Sequence, residues 1–258
     1  MFTHFTLAAV SIAFALFLAL LAMIEVGRRW GRRRAALDPE RGREGLGGAE
    51  AAVYGLLGLL IAFSFSGAAT RFEKRRALIV DEANAIGTAY LRVDLLPSEA
   101  QPAVREAFRR YLDARIAAYR KLPDVTAALA ELKRAVGLQG ELWRGAVAAT
   151  RGAQMNPAIL LSPINDMFNL ATTRTAQAYA HPPLAIPMML VALALVSAFI
   201  VGFGMAGNKG GSGLHTLAYA AVIATVIYLI LDLEFPRLGV IRVDALDHVL
   251  VDARQAMN

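Results

Sequence analysis

The chain has 258 residues, of which 57% are hydrophobic and 19% are charged, and it contains no cysteine. A soluble domain carries about 25% charged and about 45–50% apolar residues, so this composition excludes a simple soluble protein. Without cysteine the chain has no disulfide bond, no thiolate metal site and no cysteine nucleophile. In so apolar a chain, the formal net charge of +6 favours anionic lipid headgroups as partners over nucleic acid.

Four long apolar runs concentrate the hydrophobic residues, and charge within them is confined to Glu25 and Asp232 at their edges. About 20 apolar residues in a helix cross the ~30 Å hydrocarbon core of a bilayer. The sequence therefore predicts four transmembrane helices, at residues 5–26, 51–69, 184–206 and 214–233.

The first apolar run is predicted to be a retained membrane span, with a cleaved secretion peptide as the alternative. Residues 1–6 contain no Lys or Arg, and the run is longer than the ~7–15 apolar residues of a secretion signal. After it, residues 27–50 contain seven arginines and many glycines, which predicts an exposed connection between the first two spans. Its arginines either set the membrane topology or bind lipid headgroups.

Residues 70–183 are the longest hydrophilic segment, and their apolar residues recur at helical spacing. No proline interrupts residues 51–96, so we expect the second span to continue as one long helix out of the membrane. One stripe of this helix comprises Phe72, Ile79, Ala83, Ile86, Tyr90 and Val93, while other faces carry Arg71, Lys74, Arg75, Asp81 and Glu82.

Three further helices are predicted in this segment. Pro97 ends the long helix, and residues 98–101 resemble a capping box for the next one. Its stripe comprises Phe108, Tyr111, Leu112, Arg115, Ile116 and Tyr119. We expect another helix at residues 125–150 and a last one from Ser162-Pro163 to about residue 180, because serine is a favoured N-cap and proline a favoured first-turn residue.

The predicted fold class is therefore all-α, with four transmembrane helices and an all-helical soluble insertion between the second and third spans. The chain divides into a first transmembrane hairpin at residues 1–69, the insertion at 70–183, a second hairpin at 184–233 and a C-terminal tail at 234–258. Gly202, Gly204 and the glycines of residues 207–213 are interpreted together as the tight turn of the second hairpin.

Charge does not decide the orientation in the membrane. Within about 20 residues of the spans, each side carries eight Lys and Arg residues, so the positive-inside rule gives a tie. Dominance of the first helix would place the arginine-rich connection inside the cell and the insertion outside.

No catalytic, cofactor or metal site is predicted. The sequence has no phosphate-binding loop, no dinucleotide fingerprint and no pair of histidines at metal-ligand spacing. Asp244, Asp247 and His248 share one face of the tail, and a solvated face explains them better than a metal site. We therefore do not expect an enzyme.

The second span carries a small and apolar face formed by Gly55, Leu59 and Phe63. Its glycines are typical of close helix packing. The other interpretation is a pore wall, because an apolar ring around a symmetry axis gates ions by dewetting. Arg71, Lys74 and Arg75 then stand at the membrane exit, where they either raise the local anion concentration or anchor lipid phosphates.

Three segments resemble a known family. These are LLIAFSFSGAATRFE at residues 59–73, RRALIVDEANAIGTAYLR at 75–92 and LDLEFPRLGVIR at 231–242. They resemble the bacterial bestrophin-like membrane proteins, which share the order of two spans, a helical insertion and two spans. More distantly, the chain is similar to the bestrophins, and that match places Gly55, Leu59 and Phe63 at the neck of the bestrophin pore.

The resemblance implies a homo-oligomeric channel, pentameric in bestrophins, that conducts small anions without a cofactor. It also implies a location in the bacterial inner membrane, with the insertion and both termini in the cytoplasm. The leading hypothesis is thus an anion-permeable channel with its pore along the second span. The alternative is a non-conducting membrane scaffold or sensor whose helical insertion binds a protein partner.

Overall fold

The computed structural model describes residues 2–37, 47–151, 153–207, 213–237 and 239–258. Within these ranges the regular structure is entirely helical, which confirms the predicted all-α class for the described residues. The α-helices are α1 Phe2–Leu37, α2 Gly48–Leu91, α3 Gln101–Arg120, α4 Val125–Arg151, α5 Ala158–Ala178, α6 Ala185–Gly204, α7 Gly213–Glu234 and α8 His248–Gln255.

Four of these helical segments are long and apolar enough to cross a membrane. They are Val10–Leu37, Gly48–Leu95, Ala185–Gly204 and Gly213–Glu234. The second has 48 residues, many more than the ~20 that a span needs. α2 alone contributes 44 of them, and the 3-10 helix Arg92–Leu95 follows it directly. The predicted long continuous helix is therefore confirmed.

The chain forms two compact units. The first, which we call the membrane unit, comprises Met1–Arg71 and His181–Val240. The second, which we call the helical unit, comprises Phe72–Ala180 and Ile241–Asn258. The boundary falls within α2, and α8 belongs to the helical unit.

In the membrane unit, α1 and α6 pack against each other through glycines. A Cβ atom on Gly27 would lie 2.0 Å from the carbonyl oxygen of Phe199, and one on Gly202 would lie 1.9 Å from that of Ile24. Only glycine permits such an approach, which brings the two backbones into van der Waals contact. The ring of Trp30 adds an edge-on contact with Phe199, with 6.2 Å between the ring centroids.

This packing corrects one prediction. Gly202 and Gly204 belong to α6 and not to the turn, because Gly202 is where α1 approaches α6. The first part of the predicted connection is also helical, since α1 runs to Leu37. Within α1, Glu25 accepts hydrogen bonds from Arg28 and from Arg29, whose Nε lies 2.9 Å from Oε1. The rest of that connection, residues 38–46, and residues 208–212 of the turn lie outside the described residues.

The helical unit has one core, to which α2, α3, α4, α5 and α8 contribute. The predicted stripe is buried at Ile79, Ala83, Ile86 and Tyr90 of α2 and at Val93 of the 3-10 helix that follows. Facing residues of the core include Phe108, Tyr111, Leu112, Leu142, Leu160, Ile164, Met167 and Leu250. The Tyr90 and Phe108 rings meet edge to face with 5.7 Å between their centroids, a geometry that aromatic pairs favour.

The predicted capping box at residues 98–101 is wrong. α3 begins at Gln101, its N-cap residue is Ala100, and no side chain caps it. Ser98 Oγ instead donates to Glu99, and Gln101 Nε2 donates to the carbonyl oxygen of Leu96 at 2.9 Å. The glutamine therefore holds the end of the preceding segment and does not reach back along its own helix.

The predicted start of α5 at Ser162-Pro163 is also wrong. α5 begins at Ala158, whose backbone N–H donates to Asn156 Oδ1 at 3.0 Å, and Pro163 lies inside the helix. Because proline has no N–H, it leaves the carbonyl oxygen four residues earlier, that of Ile159, without its helical donor. Arg92 Nη1 donates to this oxygen at 3.0 Å, so a tertiary contact makes the internal proline tolerable.

Candidate functional site

The predicted pore-lining residues Gly55, Leu59 and Phe63 all lie on α2 in the membrane unit and are all exposed. The side chains of Leu59 and Phe63 are 52% and 68% exposed. Four-residue spacing places the three on one helix face. A Cβ atom on Gly55 or Gly58 would meet nothing within 4 Å, so these glycines do not mediate helix packing within the described part of the chain.

Arg71 is the last residue of α2 in the membrane unit, and it pairs with Glu234 at the end of α7. Its Nε donates to Glu234 Oε1 at 2.8 Å, and its Nη2 donates to the same oxygen. The Glu234 side chain is only 5% exposed. Charge-assisted hydrogen bonds of this kind are about twice as strong as neutral ones. Because the Glu234 carboxylate is negative and in direct contact with the guanidinium, it offsets the positive charge of Arg71.

His181 completes this cluster on the other side of Glu234. Its Nδ1 lies 3.5 Å from Glu234 Oε2, and its ring stacks on Phe235 with 4.7 Å between the centroids. We call Arg71, His181 and Glu234 the membrane-end cluster. Gly67 makes room for it, because a Cβ atom there would lie 3.3 Å from Arg71 Nη1.

Lys74 and Arg75, the other two predicted mouth cations, belong to the helical unit and differ from each other. Lys74 is exposed. Arg75 is buried, and its Nε and Nη2 donate to the carbonyl oxygens of Gln177 at 3.3 Å and Ala180 at 3.1 Å. Arg75 thus binds the C-terminal end of α5, where carbonyl groups lack helical donors.

Sequence reasoning missed Glu234 and His181 as members of the site. A signal was present in the segment LDLEFPR at residues 231–237, which places two carboxylates directly after a long apolar run. The sequence does not reveal that one of them meets an arginine 163 positions away. The other, Asp232, accepts the backbone N–H of Val240 at 3.0 Å and so closes the turn after α7.

The helical unit contains a buried charge network that sequence reasoning also missed. Glu82 is 0% exposed although it lies off the predicted apolar stripe. Its Oε1 accepts from Arg115 Nε at 2.6 Å, and its Oε2 accepts from Arg174 Nη1 at 2.7 Å. Arg174 also donates to Asp247 at 3.1 Å, so that two cations face two carboxylates.

Arg115, a member of this network, and the nearby Tyr111 have perturbed pKa values. Burial alone would lower the pKa of the Arg115 guanidinium, but Tyr119 and Glu82 together hold it above its ordinary value. Burial also raises the pKa of the Tyr111 phenol to about 12. At neutral pH the network therefore holds a charged arginine beside a neutral phenol.

The carboxylates of the tail have arginine partners. Asp247 accepts from Arg174, and Asp244 accepts from Arg242 Nε at 2.7 Å. Within the described residues, no group of three or more metal-ligating side chains is placed to hold a metal ion. The face of Asp244, Asp247 and His248 is thus partly an ion-pairing surface of the helical unit.

Comparison with known proteins identifies the family. The sequence model of the bestrophin-like domain matches residues 26–246. No curated protein matches the chain. Among solved structures, a bacterial bestrophin homolog from Klebsiella pneumoniae carrying an isoleucine-to-threonine substitution superimposes with a TM-score of 0.72 at 12% identity, covering 93% of this chain and 99% of that one.

A second variant of the Klebsiella pneumoniae homolog, with leucine replaced by threonine, also gives a TM-score of 0.72, at 13% identity and with 94% and 98% of the two chains covered. A structure described as a membrane protein with a proline-to-alanine substitution gives 0.72 at 12% identity, covering 94% and 98%. Such identities show a shared fold, and the domain match shows the family. The chain belongs to the bestrophin-like family and is a membrane protein related to the bestrophins.

Proposed function

We propose that the protein is a homo-oligomeric, anion-permeable channel whose pore runs along α2. The observation that carries this proposal is the exposed face of α2 at Gly55, Leu59 and Phe63. In a closed symmetric oligomer the same face of every copy meets around one axis. The family membership supports the same arrangement, with five copies as in bestrophins.

In this proposal Leu59 and Phe63 form apolar rings that oppose the passage of water and ions when the pore is narrow. The charges at the end of the pore then bias which ions enter. Arg71 contributes little net positive charge, because Glu234 pairs with it, whereas the exposed Lys74 contributes a full charge. Arg75 donates hydrogen bonds to carbonyl oxygens at the end of α5 and so is not a free cation.

We also propose the membrane arrangement that the resemblance implies. The four apolar helices cross the bacterial inner membrane, and residues 70–183 form a soluble insertion on the cytoplasmic side together with both termini. The division of the chain into two hairpins, an insertion and a tail follows from this arrangement. Lipid and small anions are the expected partners.

The deciding experiment measures ion currents from the purified protein in planar bilayers. We expect an anion-selective current that changes in the variant Phe63→Ala, because a smaller ring at the constriction wets more easily. Phe65→Ala is the matched control, since Phe65 is also exposed on α2 but lies on a different face. A protein without anion-selective current, or equal currents from Phe63→Ala and the wild type, would contradict the proposal.

The second candidate is a membrane scaffold or sensor whose helical unit binds a protein partner. It is favoured by an exposed apolar stripe on α4, formed by Val125, Leu129, Val136 and Trp143. Contiguous exposed apolar residues mark interaction surfaces in many proteins. A purified protein that is monomeric or dimeric and carries no current would support this candidate.

A further inference from the structure

The membrane unit contains a cavity of about 460 Å³ between residues of α2, α6 and α7. Its lining on α2 runs from Leu60 to Arg71, and on α7 from Ile227 to Glu234. The volume lies within the ~300–1,000 Å³ range of small-molecule sites. Of the three residues proposed to line the pore, Phe63 also lines this cavity, whereas Gly55 and Leu59 do not.

The cavity has an apolar body and one charged end. Most of its wall is aliphatic, with Leu190 and Val191 of α6 and Ile230 of α7 among the lining residues. The membrane-end cluster is also part of the wall, at the last lining residues of α2 and α7. A pocket that is mostly apolar, with a few convergent polar groups, is the usual form of a site for an amphipathic ligand.

Two polar atoms of the lining are available to such a ligand. Glu234 engages Nε and Nη2 of Arg71, while Nη1 makes no hydrogen bond within the described residues and lies beside Gly67. The hydroxyl of Ser64 is buried and has no hydrogen-bond partner in the same part of the chain. A carboxylate bound at Arg71 does not reach this hydroxyl, which is seven residues or about 10 Å away along α2, so the ligand's head group is assigned from Arg71 alone.

We propose that this cavity binds one medium-chain fatty acid as its carboxylate. The ligand's carboxylate shares the Arg71 guanidinium with Glu234, accepting a hydrogen bond from Nη1, the nitrogen that Glu234 does not engage. The alkyl chain lies along the aliphatic walls toward Leu60. The cavity has room for a single chain, which favours a fatty acid over a two-chain phospholipid. It belongs to the unit that contains three of the four apolar helices and the first part of α2, where acyl chains would surround a protein in the membrane.

Calorimetric titration of dodecanoate and of dodecanol into delipidated full-length protein in detergent tests the proposal. We expect one dodecanoate per chain. The double variant Arg71→Gln with Glu234→Gln removes the cation and keeps the pair neutral. Its affinity for dodecanoate should be about tenfold lower than that of the wild type, because a hydrogen bond to a charged group is lost. The same double variant should leave the affinity for uncharged dodecanol within about twofold, since the alkyl contacts remain.

A filled cavity provides the second test. The variant Val191→Phe should abolish binding of both ligands, because Val191 lines the cavity. Val196→Phe is the matched control on the same helix, since Val196 is 48% exposed and does not line it. Unfolding temperatures measured for every variant show that each one is folded.

Any of four results would overturn the proposal. The first is wild-type protein that does not bind dodecanoate. The second is a Val191→Phe variant that binds dodecanoate as the wild type does. The third is native mass spectrometry in which the retained ligand is only a two-chain phospholipid, because then a phospholipid fills the cavity. The fourth is dissociation of an oligomer in the variant Val191→Phe, because then a second copy fills the cavity. None of these results depends on whether the protein conducts ions.

Discussion

Arg71 shows how a neighbour changes the role of a single residue. From the sequence, Arg71, Lys74 and Arg75 are three equivalent cations at the end of a span. In the structure Arg71 is paired with a buried carboxylate, Lys74 is exposed, and Arg75 donates to backbone carbonyls. The charge available to an anion thus depends on Glu234 as much as on the arginine.

Replacing Glu234 by glutamine should increase the preference of the proposed channel for anions. Without the carboxylate, Arg71 presents its full charge, and charges at a constriction set ion selectivity. The reversal potential in asymmetric KCl measures the change. The control is Glu106→Gln, because Glu106 is an exposed carboxylate of α3 in the helical unit that pairs with Arg109 at 3.4 Å. A reversal potential equal to that of the wild type in Glu234→Gln would contradict this account of Arg71.

Glu82 is the residue at which sequence reasoning failed most clearly. Glutamate is almost never fully buried unless it is paired. Because the sequence shows no partner for Glu82 and the residue lies off the apolar stripe, its burial was not expected. The structure buries it because Arg115 from α3 and Arg174 from α5 meet it from two helices. Removing one partner of such a buried pair typically costs about 3–5 kcal/mol.

At the scale of elements, α1 and α6 pack with their backbones in contact. Their contact needs glycine on both helices, at Gly27 and at Gly202. The sequence shows these glycines, but it does not distinguish a glycine that admits another backbone from one that makes a turn. Gly202 was predicted to be in a turn for that reason.

The variant Gly202→Ala should destabilise the protein. Its Cβ would lie 1.9 Å from the Ile24 carbonyl oxygen, so α1 and α6 must separate. Overpacking of this kind costs about 1–3 kcal/mol, and thermal unfolding followed by helical circular dichroism measures it. Gly137→Ala is the control, because a Cβ there meets nothing within 4 Å and alanine favours a helix by about 1 kcal/mol. Equal melting temperatures for Gly202→Ala and the wild type would show that the two helices are not in close contact.

At the scale of the whole molecule, orientation in the membrane is the property that charge leaves open. The flanking charges balance, whereas the arrangement that we propose from the family resemblance has residues 70–183 in the cytoplasm. Because the chain has no cysteine, single cysteines introduced into it report the side of the membrane without interference from native thiols.

We expect Arg41→Cys to react with a membrane-impermeant maleimide in intact cells, and Lys121→Cys to react only after permeabilisation. The two positions stand on either side of the second apolar helix in the chain, so one crossing separates them. Permeabilised cells, in which both cysteines should react, are the control for accessibility. The reverse labelling pattern would place residues 70–183 outside the cell.

The sequence by itself determined the class of the protein and the order of its helices. Apolar length marked four segments that the structure also has as long apolar helices, and the 3.6-residue period marked the buried stripe of α2. Both signals are local, because a short window of residues carries them. The unbroken α2 and the extent of α4 were predictable for the same reason.

Only the tertiary structure decided which residues meet. It brought Glu234 to Arg71, two arginines to Glu82, Arg92 to the carbonyl oxygen that Pro163 leaves free, and Gly202 to the backbone of α1. Each contact joins residues that are far apart in the chain, and its energy depends on burial that neither partner's local sequence encodes. Hydropathy and periodicity therefore predicted the helices, while the partners of the buried charges required the folded molecule.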